Sequence, residues 1–121
     1  MRTKTRDSYN LDRIAQRLAC AALENRDYAK DTWRRVRDER TRLSQALDAL
    51  DLLCPPSQSN FLLASRKEGL SPTARGIYET LKSGDILVRY FDHPRLANRL
   101  RITVGTPEEN TALLEALAKI V

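Results

Sequence analysis

Two arginines, Arg89 and Arg101, carry the most informative chemistry in this 121-residue chain. They lie in residues 86–91 and 100–104, two short apolar stretches that alternate with period two, as half-buried strands do. Alternation puts Ile86, Val88 and Tyr90 on one face of the first stretch and Leu87, Arg89 and Phe91 on the other. In the second, Leu100, Ile102 and Val104 share a face opposite Arg101 and Thr103. If the two strands pair antiparallel through the loop at residues 92–98, matching their apolar faces forces both arginines onto the opposite face. Directly opposite each other, their side chains would start about 5 Å apart. Two like charges that close call for an anion, a phosphate or carboxylate gripped by planar guanidinium forks. The alternative is a pair of arginines splayed into solvent or matched with acids elsewhere. The alternation itself leaves both open.

Other chemistries find little material. The only histidine, His93, sits in the turn-like Asp92-His93-Pro94 and reads as a loop residue. Cys20 and Cys54 form no CxxC and read as two reduced thiols. A zinc site needs about four nitrogen or sulfur ligands, so no metal site is expected. No Ser/His/Asp set, P-loop or GxGxxG occurs, and no catalytic residue is expected. Arg34, Arg35, Arg37, Arg40 and Arg42 make a basic run, but Asp38 and Glu39 interrupt it and no aromatics are interleaved. It reads as a solvated helix face and not as a nucleic-acid surface.

The elements that must position the arginines follow from the pattern. Leu11, Ile14, Ala15, Leu18, Ala19 and Ala22 recur at helical spacing, with Asn10 as N-cap and a break at Asn25-Arg26-Asp27. Ala29, Trp33, Val36, Leu43, Leu47 and Leu50 form the stripe of a longer second helix. Asp31 to Arg35 and Asp38 to Arg42 are favourable i,i+4 pairs on it. Cys54-Pro55-Pro56 ends this helical half. Residues 59–64 read as a strand. Ser71-Pro72 reads as the start of a helix that buries Ala74, Ile77, Tyr78 and Leu81 and closes at a left-handed Gly84. Thr106-Pro107-Glu108-Glu109 is a capping box before a last helix that buries Leu113, Leu114, Leu117, Ile120 and Val121.

The expected fold is α+β: two N-terminal helices, one long, then a small three-stranded sheet with two helices on one face. It is read as a single domain over 1–121, helical in 1–54 and strand-containing in 55–121. With 41% hydrophobic and 31% charged residues, the composition is that of a globular chain, not a disordered one. No apolar run approaches the ~20 residues of a membrane span, and no signal-like h-region follows Met1. A cytoplasmic protein without membrane or nucleic-acid partners is expected. The net charge of +5 permits a nucleic-acid role without requiring one.

Several stretches resemble the C-terminal end of histidinol-phosphate aminotransferases, which are pyridoxal-phosphate enzymes of fold type I. They are Ser57-Gln58-Ser59-Asn60-Phe61-Leu62-Leu63-Ala64, Ile77-Tyr78-Glu79-Thr80-Leu81-Lys82, Ile86-Leu87-Val88-Arg89-Tyr90-Phe91 and, above all, Leu100-Arg101-Ile102-Thr103-Val104-Gly105-Thr106-Pro107-Glu108-Glu109-Asn110. The resemblance implies an aminotransferase small domain. In the whole enzyme, amino transfer would run between glutamate and imidazole-acetol phosphate, in histidine biosynthesis. It implies that Arg101 clamps the substrate's anionic group, that Arg89 is its neighbour and that Asn60 lies near the site. The cofactor lysine, the acid facing the pyridine nitrogen and the phosphate cup lie upstream in the family. None of Lys4, Lys30, Lys67, Lys82 and Lys119 stands in the family's Ser-x-x-Lys context. The resemblance therefore implies an isolated C-terminal domain, inactive alone and binding no pyridoxal phosphate itself. Its partners would be a small anionic substrate and the missing cofactor domain. The alternative is a stand-alone binding or self-association module derived from such a domain.

Overall fold

Asp12 opens the first helix, α1 (Arg13–Glu24), by accepting the Ala15 amide at 2.7 Å, and Asn25 closes it. Asn10, expected as the cap, lies outside the residues that the computed structural model describes, 11–121. The chain divides into two compact units, the second beginning at Arg34. In the first unit, α1 has no buried residue, and its apolar stripe is exposed, Ile14 by 74% and Leu18 by 65%.

The second unit, Arg34–Val121, is built on one apolar core. Leu43 and Leu47 reach it from α2 (Arg26–Ala49), as their spacing predicts, whereas Trp33 of the same stripe stays exposed. The sheet has four strands: β1 (Leu52–Leu53), β2 (Phe61–Arg66), β3 (Arg89–Tyr90) and β4 (Arg99–Thr103). They are ordered β1-β2-β4-β3 and antiparallel throughout. The added strand is β1, which pairs Leu52 with Arg66 and Leu53 with Ser65. Two residues are too few to show an alternation, so the sequence reads as a helix end there.

The helices α3 (Ala74–Ser83) and α4 (Pro107–Ile120) cover the same face as the end of α2. Leu62 and Ala64, Leu100 and Ile102, Ala74, Ile77 and Leu81, and Leu113 and Leu117 meet between sheet and helices. Each fully buried leucine or isoleucine contributes about 1.5–3 kcal/mol. Tyr78 of α3 stacks on Tyr90 of β3 with ring centroids 5.9 Å apart, tying the edge strand to the helical layer.

Three local expectations are corrected. Thr73, not Ser71, caps α3, its hydroxyl accepting the Gly76 amide, and Ser71-Pro72 is a cis peptide bond ahead of the helix. Gly84 is not left-handed (φ −99°). The positive φ falls one residue later, on Asp85 (φ 61°), which a short polar side chain tolerates. Finally, only Arg89 and Tyr90 of residues 86–91 form a ladder. Ile86 and Val88 still turn toward the core while Leu87 is exposed, so the alternation holds where the pairing does not.

The capping box at Thr106 forms as expected, Thr106 N–H donating to Glu109 Oε2 at 2.8 Å and Glu109 N–H to Thr106 Oγ1 at 3.3 Å. It requires glycine at 105: a Cβ there would stand 2.6 Å from Glu109 Oε2. Behind this corner Asn110, 2% exposed, accepts from Gly105 N–H and donates to Gly105 O and to Glu39 Oε2 of α2. Arg42 completes the staple by donating to both Glu39 oxygens and to Pro107 O.

Candidate anion-binding face

The ladder between β3 and β4 sets Arg89 directly opposite Arg101. On its other side Arg101 faces Leu63 of β2. Because Leu62, Ala64, Leu100 and Ile102 are buried against the helices, the residues between them must point the other way, to the face that no helix of this unit covers. Arg89, Arg101, Thr103 and Phe61 stand there exposed, and Leu63, Arg99 and Phe91 half-buried.

Each of the two arginines leans on a ring. The Arg101 guanidinium lies 5.4 Å from the centre of Phe61, and that of Arg89 lies 5.5 Å from Phe91. Cation–π contacts at this range hold a flexible side chain in place while leaving its N–H donors open. Among the described residues neither arginine makes an ion pair. The face is therefore positive, pre-oriented and without an acid of its own. That is the condition for gripping a small anion and not for transferring protons.

Asn60, the third expected site residue, immediately precedes β2. Its carbonyl accepts the Val104 amide at 2.8 Å, which fastens the end of β4 beside Phe61. The serines before it hold the same turn: Ser57 and Ser59 hydroxyls both donate to Phe61 O, and Arg40 donates to Ser59 O. Asn60 is thus adjacent in chain to the Phe61 platform, and its exposed side chain is not drawn into the ladder.

The other candidates disperse. His93 is exposed in its loop, with Nδ1 accepting the Arg95 amide. Burial, helped by Asp48, pushes the Cys54 thiol up to about 11, so it stays protonated at neutral pH. No group of three or more metal-ligating side chains occurs among the described residues. In the basic run, Arg34 pairs with Asp38 at 3.7 Å and Arg42 with Glu39 at 2.9 Å, so Arg42 takes Glu39 in place of the expected Asp38. No helix of the described residues is long and apolar enough to cross a membrane. Two polar features escaped the sequence reading. The Asn110–Glu39–Arg42 staple links positions 71 residues apart and has no periodic signal. Arg99 was readable, since it shares parity with Arg101 in Arg99-Leu100-Arg101.

Comparison with known proteins now places the chain. The model of the family "Aminotransferase class I and II" matches residues 2–117. A histidinol-phosphate aminotransferase of Rippkaea orientalis is 49% identical over 117 residues, 97% of this chain and 33% of the relative. Histidinol-phosphate aminotransferase 2 of Burkholderia lata is 48% identical over 95% of this chain and 32% of its own length. The crystal structure of a histidinol-phosphate aminotransferase from Sinorhizobium meliloti, in complex with pyridoxal-5'-phosphate, superposes with a TM-score of 0.75 at 26% identity, over 98% of this chain and 33% of that one. That of the Clostridium acetobutylicum histidinol-phosphate aminotransferase reaches 0.82 at 20% identity, a likeness of fold. The chain spans about a third of the length of the curated relatives it matches. With nearly every residue inside the family match and the same α+β unit in the solved relatives, the chain belongs to the class I and II aminotransferases.

Proposed function

We propose that the chain is the C-terminal small domain of a cytoplasmic histidinol-phosphate aminotransferase and supplies the arginines that hold the substrate's phosphate or carboxylate. The observation that carries this is the register of Arg89 against Arg101 on an open face without an acid. In the whole enzyme, amino transfer runs between glutamate and imidazole-acetol phosphate. Arg101 clamps the anion, Arg89 shares its charge, and Asn60 borders the platform that Phe61 makes for Arg101. Their work is to fix the substrate's orientation, which converts binding into a productive approach of the reacting amine.

The family's cofactor, pyridoxal phosphate, is held through a lysine Schiff base and an acid or arginine at the pyridine nitrogen. The described lysines do not fit that role. Lys30 and Lys67 are tied in exposed ion pairs to Asp27 and Asp51, Lys82 lies over the Tyr78 ring, and Lys119 is exposed on the last turn of α4. No step through the cofactor is assigned to this chain.

Titration of the chain with sulfate or phosphate, followed by backbone amide shifts, tests the reading. Perturbations are expected to centre on Arg89, Arg101 and Phe61. Shifts that avoid both arginines would remove the site. With pyridoxal phosphate supplied, the chain alone is expected to show no amino transfer from glutamate, and measurable turnover would overturn that part.

The uncovered apolar stripe of α1 favours a second reading, self-association through this surface. A sedimentation profile independent of concentration would exclude it.

A further inference from the structure

β4 outruns its edge partner. On the β2 side its ladder continues to Thr103, opposite Phe61, whereas on the β3 side it stops at Arg101, opposite Arg89. Antiparallel pairs alternate between those that exchange two main-chain hydrogen bonds and those that exchange none. Val104 N–H donates to Asn60 O at 2.8 Å, so by alternation Ile102 and Leu100 also bond to β2. The N–H and C=O of Thr103 then point away from β2, to the place that Leu87 would take if β3 continued. Leu87 stands outside the ladder, and among the described residues no main-chain hydrogen bond reaches Thr103.

The space left there is a cavity of about 410 Å³. Leu87 and Thr103, which share the parity of the open face, line it together with Ile86, Val88 and Ile102, which share the parity of the helix side. Residues of both parities around one cavity put it in the plane of the sheet, between the splayed strands, where main-chain hydrogen bonds run. Leu113 of α4 adds to its apolar wall. The volume falls within the range of ligand sites, about 300–1,000 Å³. Its rim is acidic. Asp85 and Glu109 line it, both exposed and neither in an ion pair among the described residues. The chain carries 21 lysines and arginines, yet no described basic side chain lines this cavity, so the two acids have no counter-charge of their own there.

We infer that this gap takes a short extended peptide segment with a basic side chain, which adds to β4 at Thr103 in the place that residues 86–88 vacate. Thr103 N–H donates to a carbonyl of the peptide and Thr103 C=O accepts from one of its amides, as an unpaired strand edge does for an added strand. An apolar side chain of the peptide packs on Ile102 and Leu113. The basic side chain lies toward Asp85 and Glu109 and supplies the missing charge. A simple amine meets the acids but offers no donor and acceptor in the plane of the sheet, and an acidic peptide meets Thr103 but is repelled at the rim.

The test uses the 121-residue chain and acetyl-Val-Lys-Val-amide as probe, with acetyl-Val-Glu-Val-amide and n-butylamine beside it. Backbone amide shifts and hydrogen exchange are followed in each titration. With the lysine peptide, the Thr103 and Leu87 amides are expected to shift together, and the Thr103 amide becomes protected from exchange. The glutamate peptide binds about fivefold more weakly or worse, the scale of exposed charge pairs. In the double variant Asp85→Asn, Glu109→Gln the two peptides bind within about twofold of each other. Asparagine tolerates the positive φ at position 85, and glutamine serves in a capping box, so both changes remove charge and keep shape. A Thr103 amide that ignores the lysine peptide overturns the inference. So do equal affinities for the two peptides, an unchanged preference in the double variant, or n-butylamine protecting the Thr103 amide as well as the peptide does. The peptide comparison needs no variant, so it decides the matter even if the double variant fails to fold.

Discussion

Replacing Arg101 by glutamine is expected to weaken phosphate binding by on the order of a hundredfold while leaving the fold as stable as before, or slightly more so. The binding loss follows from what is removed: one elementary charge and a fork of two N–H donors held toward the open face by Phe61. The stability gain follows from the register. Arg101 sits directly across from Arg89, and like charges directly opposite destabilise a strand pair. Glutamine relieves that repulsion, and this offsets the lost contact of the guanidinium with the exposed Phe61 ring. An ordinary structural arginine would behave in the opposite way, since its loss would lower the melting temperature and leave anions indifferent. Arg101→Lys separates charge from geometry. It keeps the charge but offers no planar fork, so its affinity should fall between the two. Calorimetric titration with phosphate and thermal unfolding of the same three proteins give both numbers. Unchanged phosphate affinity in Arg101→Gln would remove the anion site. A large fall in melting temperature would show that the arginine serves the fold.

How far the sequence reaches is visible in these same strands. The parity of Arg89 and Arg101 was readable because the buried leucines and isoleucines around them leave one register that keeps the apolar face dry. Arg89 opposite Arg101 is a consequence of that constraint. The capping box at Thr106 was readable for a similar reason: cap, proline and glutamate act within four residues. The reading failed where structure rests on few residues or on distant ones. β1 is two residues long, and β3 shrank to two because residues 86–88 leave the ladder while keeping their burial pattern. The start of α3 moved to Thr73 because two residue pairs, Ser71-Pro72 and Thr73-Ala74, offer competing caps, and local rules do not rank them. The exposed stripe of α1 has the spacing of a core helix, and periodicity reports only that a face is apolar, not what covers it. Arg99 shares that parity and lies on the same face, half-buried, but an arginine without a cross-strand twin raises no electrostatic question in the sequence.

The largest stability effect is expected at Asn110. Its side chain makes three bonds at once: it accepts from Gly105 N–H and donates to Gly105 O and Glu39 Oε2, all at 2.8–3.1 Å. Asn110→Ala leaves two main-chain groups and a carboxylate oxygen short of a partner in a buried corner. Stranded buried polar groups cost about 1–3 kcal/mol each, so a net loss of about 3 kcal/mol is expected. For a domain of this size that lowers the melting temperature by roughly 10–20 °C. Acid should act on the same staple. Hydrogen bonds from Arg42 first, and from Asn110 second, hold the Glu39 carboxyl below its usual range. Its contribution is therefore complete above the unfolded pKa and is lost as pH falls through the lower folded value. Asn110→Ala removes the smaller of the two bonds and should shrink this acid sensitivity without abolishing it. Asn110→Asp should reverse it, since the new carboxylate would face Glu39 and Gly105 O and be relieved by protonation. Binding should respond differently from stability. Residues 99–103 are paired on β2 from Phe61 to Ser65, and Arg101 is clasped on its other side by Arg89. The ladder, not the corner, fixes Arg101. The folded fraction of Asn110→Ala should then bind phosphate within about twofold of the unaltered chain, on the scale where 1.4 kcal/mol is tenfold. A variant that keeps its melting temperature would show that water replaces the amide in the corner. One that folds and yet loses the anion would show that the staple positions the arginines after all.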